Sequence, residues 1–536
     1  MDSNRYPKAD LSMSNAKLPT HGYISSILGD YSPQFLHHPN KLALIWENGS
    51  RTYGELRDRV LRLAGALRGM GLETGDRVGT ILFNRGETFE LYFACAFAGL
   101  TLVPISFRLT ASEISSIVND CQPKVIFTEP GPGETLAQAM PSIAFSPKVV
   151  RLETSTEGAE FNELATKSVR IATPIHNDIQ MILYTSGSTG RPKGAAMRSL
   201  AVMWCALQQV SQFRHFDANS VMLINAPMFN TAAMNESSIP TFLVGGTVAI
   251  MPSRGWTAQR FVEYINRWRV THTLTFPSML REMCQLDNDS PLSIDTMRYW
   301  YTGGENCPPA LMSEVRQRWP HVNLAISYGS TESGMVTYVE DDDIDQHPGS
   351  VGRITPGQSL RLLDGEGKDV APGEVGEVWT AGPSVLTNYW NAPQLDAEAV
   401  RDGWLKIGDL ARMDEEGWIY IVGRTKDLII SKGQNIYPAE IENVLRQHPA
   451  VMDVAVVGIP DAEFGEAVCA CVILRKGASA SKETLLEFTL KTLASYKKPR
   501  HMVFLESFPI RNTTKVDKAE LARMSAALLA TKTVEA

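Results

Sequence analysis

The fold class of this chain can be inferred from ten residues, Thr185-Ser-Gly-Ser-Thr-Gly-Arg-Pro-Lys-Gly194. They follow an apolar run, residues 181–184, that has the composition of a buried strand. Glycines let backbone N–H groups turn toward an anion, hydroxyls can donate to phosphate oxygens, and Lys193 adds a positive charge. A Walker loop is excluded, because Lys193 is followed by glycine and the glycine spacing differs. The segment therefore predicts a phosphate-binding loop that follows a strand of an α/β fold.

The sequence on both sides of this loop alternates between helical and strand patterns. Apolar residues recur at helical spacing over residues 56–67, and residues 77–83 form a short β-rich segment. Thr110 and Glu113 have the spacing of a capping box that opens a further helix. A similar alternation resumes after Ile179. This order predicts a parallel sheet with crossover helices.

Two changes in sequence texture divide the chain. Around residue 350, short strands punctuated by glycine and proline predict a small antiparallel, β-barrel-like unit, and beyond Arg424 the pattern predicts a compact α+β unit. The predicted fold class is α/β, with a large N-terminal domain of parallel α/β sheets that includes the β-barrel-like unit, followed by a small α+β domain. The predicted domains are residues 1–424, with subregions of about 1–178, 179–345 and 346–424, and residues 425–536.

Length and composition exclude several classes of protein. The 536 residues suffice for an enzyme of several domains, and 44% hydrophobic with 21% charged residues excludes fibrous and wholly disordered chains. A net charge of -8 without a long basic run argues against nucleic acid as the main partner. No apolar stretch has the length of a membrane span, the N-terminal residues hold no secretory signal, and the seven cysteines form no C-x-x-C pair. These features predict a cytoplasmic protein with reduced thiols.

Eight sequence blocks occur in the order found in one enzyme superfamily. They are TSGSTGRPKG from Thr185, APMFN from Ala226, TGGENCPP from Thr302, YGSTES from Tyr328, GEVGE from Gly373, WLKIGD from Trp404, GRTKDLIISKGQNIYPAEIE from Gly423 and RNTTK from Arg511. On these blocks, which span nearly the whole chain, the sequence resembles the adenylate-forming superfamily. Its members include acyl-CoA synthetases, aryl-CoA ligases, adenylation domains of peptide synthetases and firefly-type luciferases. The resemblance implies that the small C-terminal domain is mobile.

The resemblance implies a stand-alone acid–CoA ligase. In such an enzyme a carboxylate attacks the α-phosphorus of ATP and expels pyrophosphate, and the acyl group then moves from AMP to the thiol of coenzyme A. ATP, Mg²⁺ and coenzyme A are the implied cofactors, and the implied substrate is a small-molecule carboxylic acid of hydrophobic character. Lys515 matches the catalytic lysine, and Thr331 matches a hydroxyl at the α-phosphate. Glu332 matches the magnesium carboxylate, with Thr185 as a second residue at the metal.

Further roles are carried over residue by residue from the family. Asp409 matches a carboxylate that accepts both ribose hydroxyls, Tyr328 resembles the residue that stacks on adenine, and Lys426 matches the hinge of the C-terminal domain. The implied nucleotide- and coenzyme-binding residues are Thr185, Ser186, Gly187, Ser188, Thr189, Lys193, Gly304, Glu305, Asn306, Tyr328, Gly329, Asp409, Arg424, Ser431, Lys432 and Gly433. The implied acyl-binding residues are Asn230, Thr231, Ala232, Met234, Gly303 and Gly304.

Four positions depart from the family pattern, and at the first of them Ser199 stands where the family often has histidine. Asn230 stands where the family usually has histidine, Ile407 where it has threonine, and Thr514 where it has glycine. None of them removes a charge from the phosphate machinery, but they leave open a specialist that performs only the thioester-forming half-reaction. Two further alternatives are an adenylating enzyme that loads a carrier-protein thiol and, from a different class, a non-catalytic acyl-adenylate-binding protein.

The residues that follow Asn230 bear on the substrate. They are small or flexible, which predicts a roomy apolar pocket, although the same pattern suits core residues of a helix. Glu236 nearby either meets a polar group of the substrate or stabilises a helix start. The sequence leaves open whether the chain forms a homodimer.

Overall fold

A computed structural model of the chain describes residues 24–29, 32, 37–152, 160–185, 192–286, 293–386, 388–461, 463–511 and 515–534. Two large mixed sheets with helices on their faces form the N-terminal part, and a smaller antiparallel sheet follows them. A separate five-stranded sheet with its own helices forms the C-terminal part. The predicted fold class, α/β with a smaller C-terminal domain, is therefore confirmed.

Strands and helices follow one another closely along the chain. Up to residue 185 they are β1 (Leu42–Trp46), β2 (Gly49–Thr52), α1 (Tyr53–Gly69), β3 (Arg77–Ile81), α2 (Glu87–Ala98), β4 (Thr101–Pro104), α3 (Ala111–Cys121), β5 (Val125–Thr128), α4 (Pro132–Ala139), β6 (Lys148–Arg151), α5 (Glu160–Lys167) and β7 (Ile179–Thr185). From residue 193 to 354 they are β8 (Lys193–Arg198), α6 (Ser199–Gln212), β9 (Val221–Ile224), a π-helix (Ala232–Ser238), α7 (Ile239–Val244), β10 (Thr247–Ile250), α8 (Ala258–Trp268), β11 (His272–Thr275), α9 (Pro277–Cys284), β12 (Tyr299–Gly303), α10 (Pro309–Arg318), β13 (Asn323–Ser330), β14 (Gly334–Glu340), α11 (Asp342–Gln346) and β15 (Arg353–Ile354).

The remaining elements belong to the two smaller sheets and the lysine-bearing ribbon. From residue 359 to 424 they are β16 (Ser359–Leu363), β17 (Val375–Ala381), β18 (Asn388–Tyr389), α12 (Pro393–Ala399), β19 (Val400–Arg401), β20 (Trp404–Met413) and β21 (Ile419–Arg424). Beyond them lie β22 (Ile429–Ser431), β23 (Gln434–Ile436), α13 (Pro438–Leu445), β24 (Val451–Asp461), β25 (Gly465–Leu474), α14 (Lys482–Leu490), β26 (His501–Phe504), β27 (Ile510–Arg511), β28 (Lys515–Val516) and α15 (Lys518–Val534). Short 3₁₀ turns lie at Ser25–Leu28, Met140–Ser142, Thr425–Asp427 and Ser495–Lys497.

The first large sheet has seven strands in the order β18-β8-β7-β4-β3-β5-β6. Strands β3 to β7 are parallel within it, as the helix and strand alternation predicts. Helix α2, which connects β3 to β4, is buried along its whole length and packs against α1. At the start of α3, Glu113 N donates to Thr110 Oγ1 and Thr110 N donates to the Glu113 carboxylate, which confirms the predicted capping box.

The second large sheet has nine strands in the order β15-β14-β13-β12-β11-β9-β10-β1-β2. It is parallel from β13 to β1 and antiparallel at both ends. Both large sheets take strands from either side of residue 178, so the predicted subregions are linear in sequence whereas the sheets are interleaved. The carboxyl ends of β7, β12 and β13 mark the edges at which ligands of open α/β sheets bind.

The two smaller units differ in their packing. The glycine- and proline-rich region forms an antiparallel sheet, β16-β17-β20-β19, with β21 also paired to β20. The C-terminal part is a sheet of order β23-β22-β25-β24, with β26 parallel to β25 and three helices around it. Its Glu442 is buried, yet the nearby Lys518 and Arg446 hold the pKa of that carboxyl below its usual value despite the opposing effect of burial. This buried ion pair fastens α15 to α13.

Candidate active site

Thr185, Glu332 and Tyr389 form a cluster at the carboxyl ends of β7 and β13. Thr185 Oγ1 donates to Glu332 Oε1 at 3.5 Å, and Tyr389 Oη donates to the same oxygen at 3.3 Å. Burial and the Glu332 charge raise the pKa of Tyr389, which keeps the phenol protonated as a donor. The structure thus brings together the two residues predicted to hold magnesium. Sequence reasoning missed Tyr389, which lies outside the eight blocks and carries no motif of its own.

The oxygens of this cluster fit a magnesium ion that arrives with a triphosphate. Proteins usually hold Mg²⁺ through one or two carboxylates and the phosphates of the substrate. In the part of the chain that the structure describes, no group of three or more His, Cys, Asp or Glu side chains could hold a metal ion. Glu332 and Thr185 could therefore hold magnesium as a partial set of hard oxygen ligands, which the phosphates of ATP would complete.

Lys193 stands at the far end of the predicted phosphate loop, beside the same cluster. Strands β7 and β8 are antiparallel and pair Thr185 with Lys193. The Lys193 Nζ atom lies 5.9 Å from the centroid of the Tyr389 ring, within cation–π range. Ser186, Gly187, Ser188 and Thr189, which complete the predicted loop, lie outside the described residues.

Residues 328–332 end β13 and form the tip of its hairpin with β14. Gly329 is required there, because a Cβ atom would lie 1.9 Å from the carbonyl oxygen of Gly334 on the facing strand. The tip leaves Thr331 and Glu332 half-buried at the edge of the nine-stranded sheet. Glu332 faces the end of β7 in the other large sheet, where its carboxylate meets Thr185.

Asp409 is the centre of a second cluster. Its Oδ2 atom accepts from Tyr328 Oη at 2.8 Å, and its Oδ1 atom accepts from Arg424 Nε at 2.8 Å, across the pairing of β20 with β21. Burial and the Asp409 charge raise the pKa of Tyr328; burial alone would lower the pKa of Arg424, but Asp409 raises it overall. Ile407, one of the departures, packs in the same apolar cluster as the Tyr328 ring. Each carboxylate oxygen of Asp409 accepts one of these bonds and could accept another from a ribose hydroxyl. The ribose role of Asp409 and the adenine role of Tyr328 stay predictions.

The loop after β12 contacts two other elements. Gly303 pairs with Ser327 of β13, which aligns the loop with the hairpin that bears Glu332. Glu305, predicted to bind cofactor, accepts hydrogen bonds from Ser278 N at 3.1 Å and Ser278 Oγ at 3.3 Å, at the start of α9. This side chain stabilises a helix N-terminus, so contact of the loop with a nucleotide would come from its backbone.

The predicted acyl-binding segment begins in a turn and continues into the π-helix. The amide of Asn230 donates to the Pro227 carbonyl at 3.1 Å, and the side chains of Thr231 and Ala232 are half-buried. Met234 is 0% exposed and packs in the main core, so in this conformation it presents no surface to a ligand. The segment is thus divided between an accessible start and a buried end.

Asn84, in the turn after β3, holds the start of this segment in place. Its Nδ2 atom donates to the carbonyl oxygens of Ala226 at 2.9 Å and Met251 at 3.1 Å, and its Oδ1 atom accepts from Met228 N at 3.0 Å. Because β3 belongs to the seven-stranded sheet while Ala226 and Met251 follow strands of the other, Asn84 ties the two sheets together. Sequence reasoning missed it, since a single asparagine after a strand gives no motif.

The predicted coenzyme loop is the tip of the β22–β23 hairpin. Lys432 and Gly433 both have positive φ, at 48° and 75°, which is the geometry of a type I′ turn. Lys432 Nζ pairs with Glu463 at 2.6 Å and lies 3.9 Å from the centroid of the Phe464 ring. Ser431 is buried behind the turn. In this conformation the lysine charge is therefore held by its own domain.

The predicted catalytic lysine lies in the ribbon of β27 and β28. The backbone of Lys515 is paired in that ribbon, while its side chain and Thr514 lie outside the described part of the structure. Three residues later Lys518 donates to Glu442 at 2.7 Å, which fixes the ribbon relative to α13. Lys426, the predicted hinge, is exposed in the 3₁₀ turn directly after β21.

The N- and C-terminal parts meet through polar side chains near this site. Asn306, in the loop after β12, donates from Nδ2 to Asn443 Oδ1 of α13 at 2.7 Å. Arg281 of α9 lies 3.7 Å from the Asp453 carboxylate of β24. The predicted nucleotide loop is therefore also a contact surface for the C-terminal part.

All seven cysteines are free, and most are buried. Across the described ranges, every helix is too short or too polar to span a lipid bilayer.

Comparison with known proteins gives two matches to family models. The model of the AMP-binding enzyme family matches residues 33–390, more than half of the chain. The model of the AMP-binding enzyme C-terminal domain matches residues 440–515, a range that ends at the predicted catalytic lysine.

Individual relatives match along nearly their whole length. The chain is 33% identical to indoleacetate–CoA ligase of Aromatoleum aromaticum over 496 residues, 91% of this chain and 96% of that protein. It is also 33% identical to the fatty acid–[acyl-carrier-protein] ligase ScoC of Streptomyces coeruleorubidus over 512 residues, 94% of this chain and 96% of that protein. The crystal structure of ATP-bound MatB from Rhodopseudomonas palustris superposes with a TM-score of 0.86 at 29% identity, covering 94% of this chain and 99% of that one.

Proposed function

This chain belongs to the AMP-binding enzyme family, and on that premise we propose that it is an AMP-forming acid–CoA ligase. It activates a hydrophobic carboxylic acid with ATP and passes the acyl group to coenzyme A. The observation that carries the proposal is the meeting of Thr185 and Glu332 at 3.5 Å between the two large sheets. The Asp409–Arg424 pair and Lys193 add charged side chains suited to a nucleoside triphosphate.

The first step joins two anions, which these residues bring together. A carboxylate oxygen of the acid bonds to the α-phosphorus of ATP while the bond to pyrophosphate breaks. We propose that Glu332, with Thr185 beside it, holds magnesium, which neutralises triphosphate charge when bound. Lys515 supplies a positive charge between the acid and the α-phosphate, and Thr331 a hydroxyl to the same phosphate. Asp409 accepts the ribose hydroxyls, and the loop at Gly303 and Gly304 lies along adenine and the acyl group.

The second step needs a different face of the C-terminal domain. The thiol sulfur of coenzyme A bonds to the acyl carbon, the bond to AMP breaks, and the thiol proton passes to solvent. Lys432 is paired with Glu463 in this conformation. We propose that the domain of residues 425–536 turns about Lys426 and brings the β22–β23 hairpin, which bears Lys432, to the thiol of coenzyme A. Gly433 lets the chain approach the coenzyme closely.

The test follows pyrophosphate release and acyl-CoA formation separately, with magnesium-ATP and a panel of aromatic, alicyclic and fatty acids. We expect both products from one group of acids, and loss of both in Glu332→Gln, with the exposed Glu416→Gln as the matched control. Thioester formed only from supplied acyl-adenylate would mean that the departures at Asn230, Ile407 and Thr514 have removed the first half-reaction. Neither product from any acid would support the non-catalytic binding protein and overturn the proposal.

A carrier-protein thiol is the alternative acceptor. The similarity to ScoC, whose name gives an acyl-carrier protein as its acceptor, favours this alternative over a luciferase-like one. The two acceptors are separated by supplying coenzyme A and a phosphopantetheinylated carrier protein at equal concentration with one acid. Acylation of the carrier at least as fast as of coenzyme A would reassign the acceptor.

We also propose a cytoplasmic setting, supported by seven unpaired cysteines, which persist in reducing compartments. The sequence leaves a homodimer open, and light scattering of the purified chain would decide it.

A further inference from the structure

Glu236 lies on the π-helix, between α6 and β12. Its neighbours Asn235 and Ser237 are 1% and 2% exposed, whereas Glu236 itself is only half-buried. π-Helical turns are rare and often occur at functional sites, because the extra residue redirects side chains. Glu236 is therefore partly accessible at a position whose two chain neighbours are fully buried.

The Glu236 carboxylate has no partner among the residues that the structure describes. Only its backbone carbonyl is engaged, accepting from Tyr301 Oη at 3.2 Å. Every buried carboxylate in the described ranges, by contrast, pairs with an arginine or lysine: Glu87, Glu90, Glu129, Asp409 and Glu442. The half-buried Glu236 has no such ion pair in the described part of the chain.

The electrostatic state of Glu236 reflects this isolation. Burial raises the pKa of Glu236 from 4.5 to about 7. The titratable groups close to it are the Cys205 thiol of α6 and the Tyr301 phenol of β12, whose pKa values are raised first by burial and further by the Glu236 charge. Both groups are neutral near pH 7, so neither neutralises the carboxylate. A hydrogen-bond donor or a cation placed beside the Glu236 carboxylate would supply the missing partner.

Glu236 also lies against both halves of the candidate active site. Tyr301 precedes Gly303 by two positions on β12, so their positions share one face of the strand. A Cβ atom on Gly334, two residues after Glu332, would lie 2.4 Å from Cys205 Sγ. Glu236 is therefore linked through Tyr301 to the strand that leads into the loop predicted to follow the acyl group, and its neighbour Cys205 lies against the hairpin predicted to hold magnesium.

We propose that Glu236 is a specificity-determining residue that selects carboxylic acids with a hydrogen-bond donor remote from the reacting carboxylate. The donor is a ring N–H, a phenolic O–H or an amine, each of which gives the isolated carboxylate the partner that the fold withholds. The inference rests on the proposed acid–CoA ligase function and narrows its substrate class from hydrophobic acids to those with a polar group at the far end.

The test compares matched acids that differ only in the donor. The pairs are indole-3-acetate with 1-methylindole-3-acetate, 4-hydroxycinnamate with 4-methoxycinnamate, and 4-aminophenylacetate with 4-methylphenylacetate. For the wild-type chain we expect kcat/KM for acyl-CoA formation to favour the donor member of at least one pair by roughly 10²-fold, because an analogue without the donor leaves the buried acceptor unpaired. The pair that responds identifies the kind of donor.

Two variants locate the preference. Glu236→Leu should reduce it to about twofold or reverse it, and Glu236→Gln, which keeps an acceptor oxygen but no charge, should fall between. Glu263→Gln makes the same change on the exposed face of α8 and should keep the wild-type preference. Thermal melting of each variant, and acid binding measured by calorimetry without ATP, separate lost recognition from lost folding.

The outcomes distinguish this inference from the proposed function. Turnover of both members of every pair at equal rates, or a preference unchanged in Glu236→Leu, would overturn the role of Glu236 while leaving the ligase in place. No pyrophosphate and no thioester from any acid would instead overturn the ligase itself.

Discussion

Several candidate residues of the N-terminal part contact one another, whereas Lys432 of the C-terminal part is held within its own domain. Thr185 and Glu332 share a hydrogen bond, and Asp409 joins Arg424 to a strand of a different sheet through Tyr328. Lys432, by contrast, pairs with Glu463 of the neighbouring strand connection. In the proposed mechanism, residues fixed in the sheets hold the nucleotide, and the placement of a second domain supplies the remaining groups.

This difference predicts which half-reaction a substitution in each part should slow. Residues fixed by the sheets should act in every step that uses the nucleotide, because their geometry does not change between steps. Residues on the C-terminal domain should each act in one step, because one face of that domain meets the site at a time. Substitutions in each part, assayed in both half-reactions, therefore test this division of roles.

Lys515→Ala should have the largest effect. Loss of a charge that acts in the transition state of the first step should lower the adenylation rate by about 10² to 10³-fold. Transfer from supplied acyl-adenylate to coenzyme A should be largely retained. Lys432→Ala is the complementary variant and should lower the transfer step while sparing adenylation. Equal losses in both half-reactions for either lysine would break the division between the two faces.

Glu236→Gln should stabilise the N-terminal part in a pH-dependent way. Because the folded pKa of Glu236 is raised from 4.5 to about 7, the folded protein loses stability as pH rises through this window and the buried carboxyl ionises. The loss approaches about 3 kcal/mol above pH 7 and is absent below pH 4.5. Denaturant unfolding should therefore show the variant to be more stable than wild type at pH 8 and indistinguishable at pH 4.5. Equal stability at both pH values would show that the carboxyl is solvated in the folded chain.

Asp409→Asn should weaken the binding of ATP. It removes the charge that Arg424 pairs with and one strong acceptor for ribose. We expect KM for ATP to rise by roughly tenfold with a smaller change in kcat, as for loss of a charge-assisted hydrogen bond. Asp369→Asn, in an exposed ion pair with Arg361, is the control with no expected change. An effect on acyl-CoA formation but none on KM for ATP would argue against the ribose role.

Asn443→Ala should have the smallest effect, and it tests directly whether a contact between the N- and C-terminal parts influences the placement of the C-terminal domain. It removes the 2.7 Å hydrogen bond by which α13 holds Asn306. A neutral hydrogen bond of this kind is worth about 1 kcal/mol, so the ratio of the two half-reaction rates should shift by less than about tenfold. The melting temperature should stay unchanged, since the bond is exposed. An unchanged ratio would mean that this contact does not bias the placement of the domain.

Much of the fold and part of the site could be predicted from local patterns. The capping box at Thr110 and Glu113 involves residues three apart, so the sequence displays it directly. The proximity of Thr185 to Glu332 was predicted because each lies in a block whose role is carried over from a family. What such blocks do not encode is contact between distant segments that carry no motif.

Asn84, Tyr389 and the true setting of Glu236 illustrate the remainder. Asn84 bonds backbone groups of residues 226, 228 and 251, which could be any residue type. Tyr389 reaches Glu332 only because a two-residue strand adds to the edge of the seven-stranded sheet. The sequence leaves Glu236 either at the substrate or at a helix start, and the lack of a partner among the described residues is visible only when its neighbours are known.

The interleaving of the two large sheets has a consequence for synthesis of the chain. Strand β1 pairs through Leu44 with Val248 of β10, so its partner emerges from the ribosome about 200 residues later. At typical rates of about 5 to 20 residues per second, the β1–β2 hairpin waits roughly 10 to 40 seconds with one edge open. An unpaired apolar edge invites aggregation, so the nascent chain should need shielding by a chaperone during that interval. When β10 has been synthesised and β1 can pair, Thr185 and Lys193 of the nucleotide site are already present, whereas Glu332 and Asp409 are still to come.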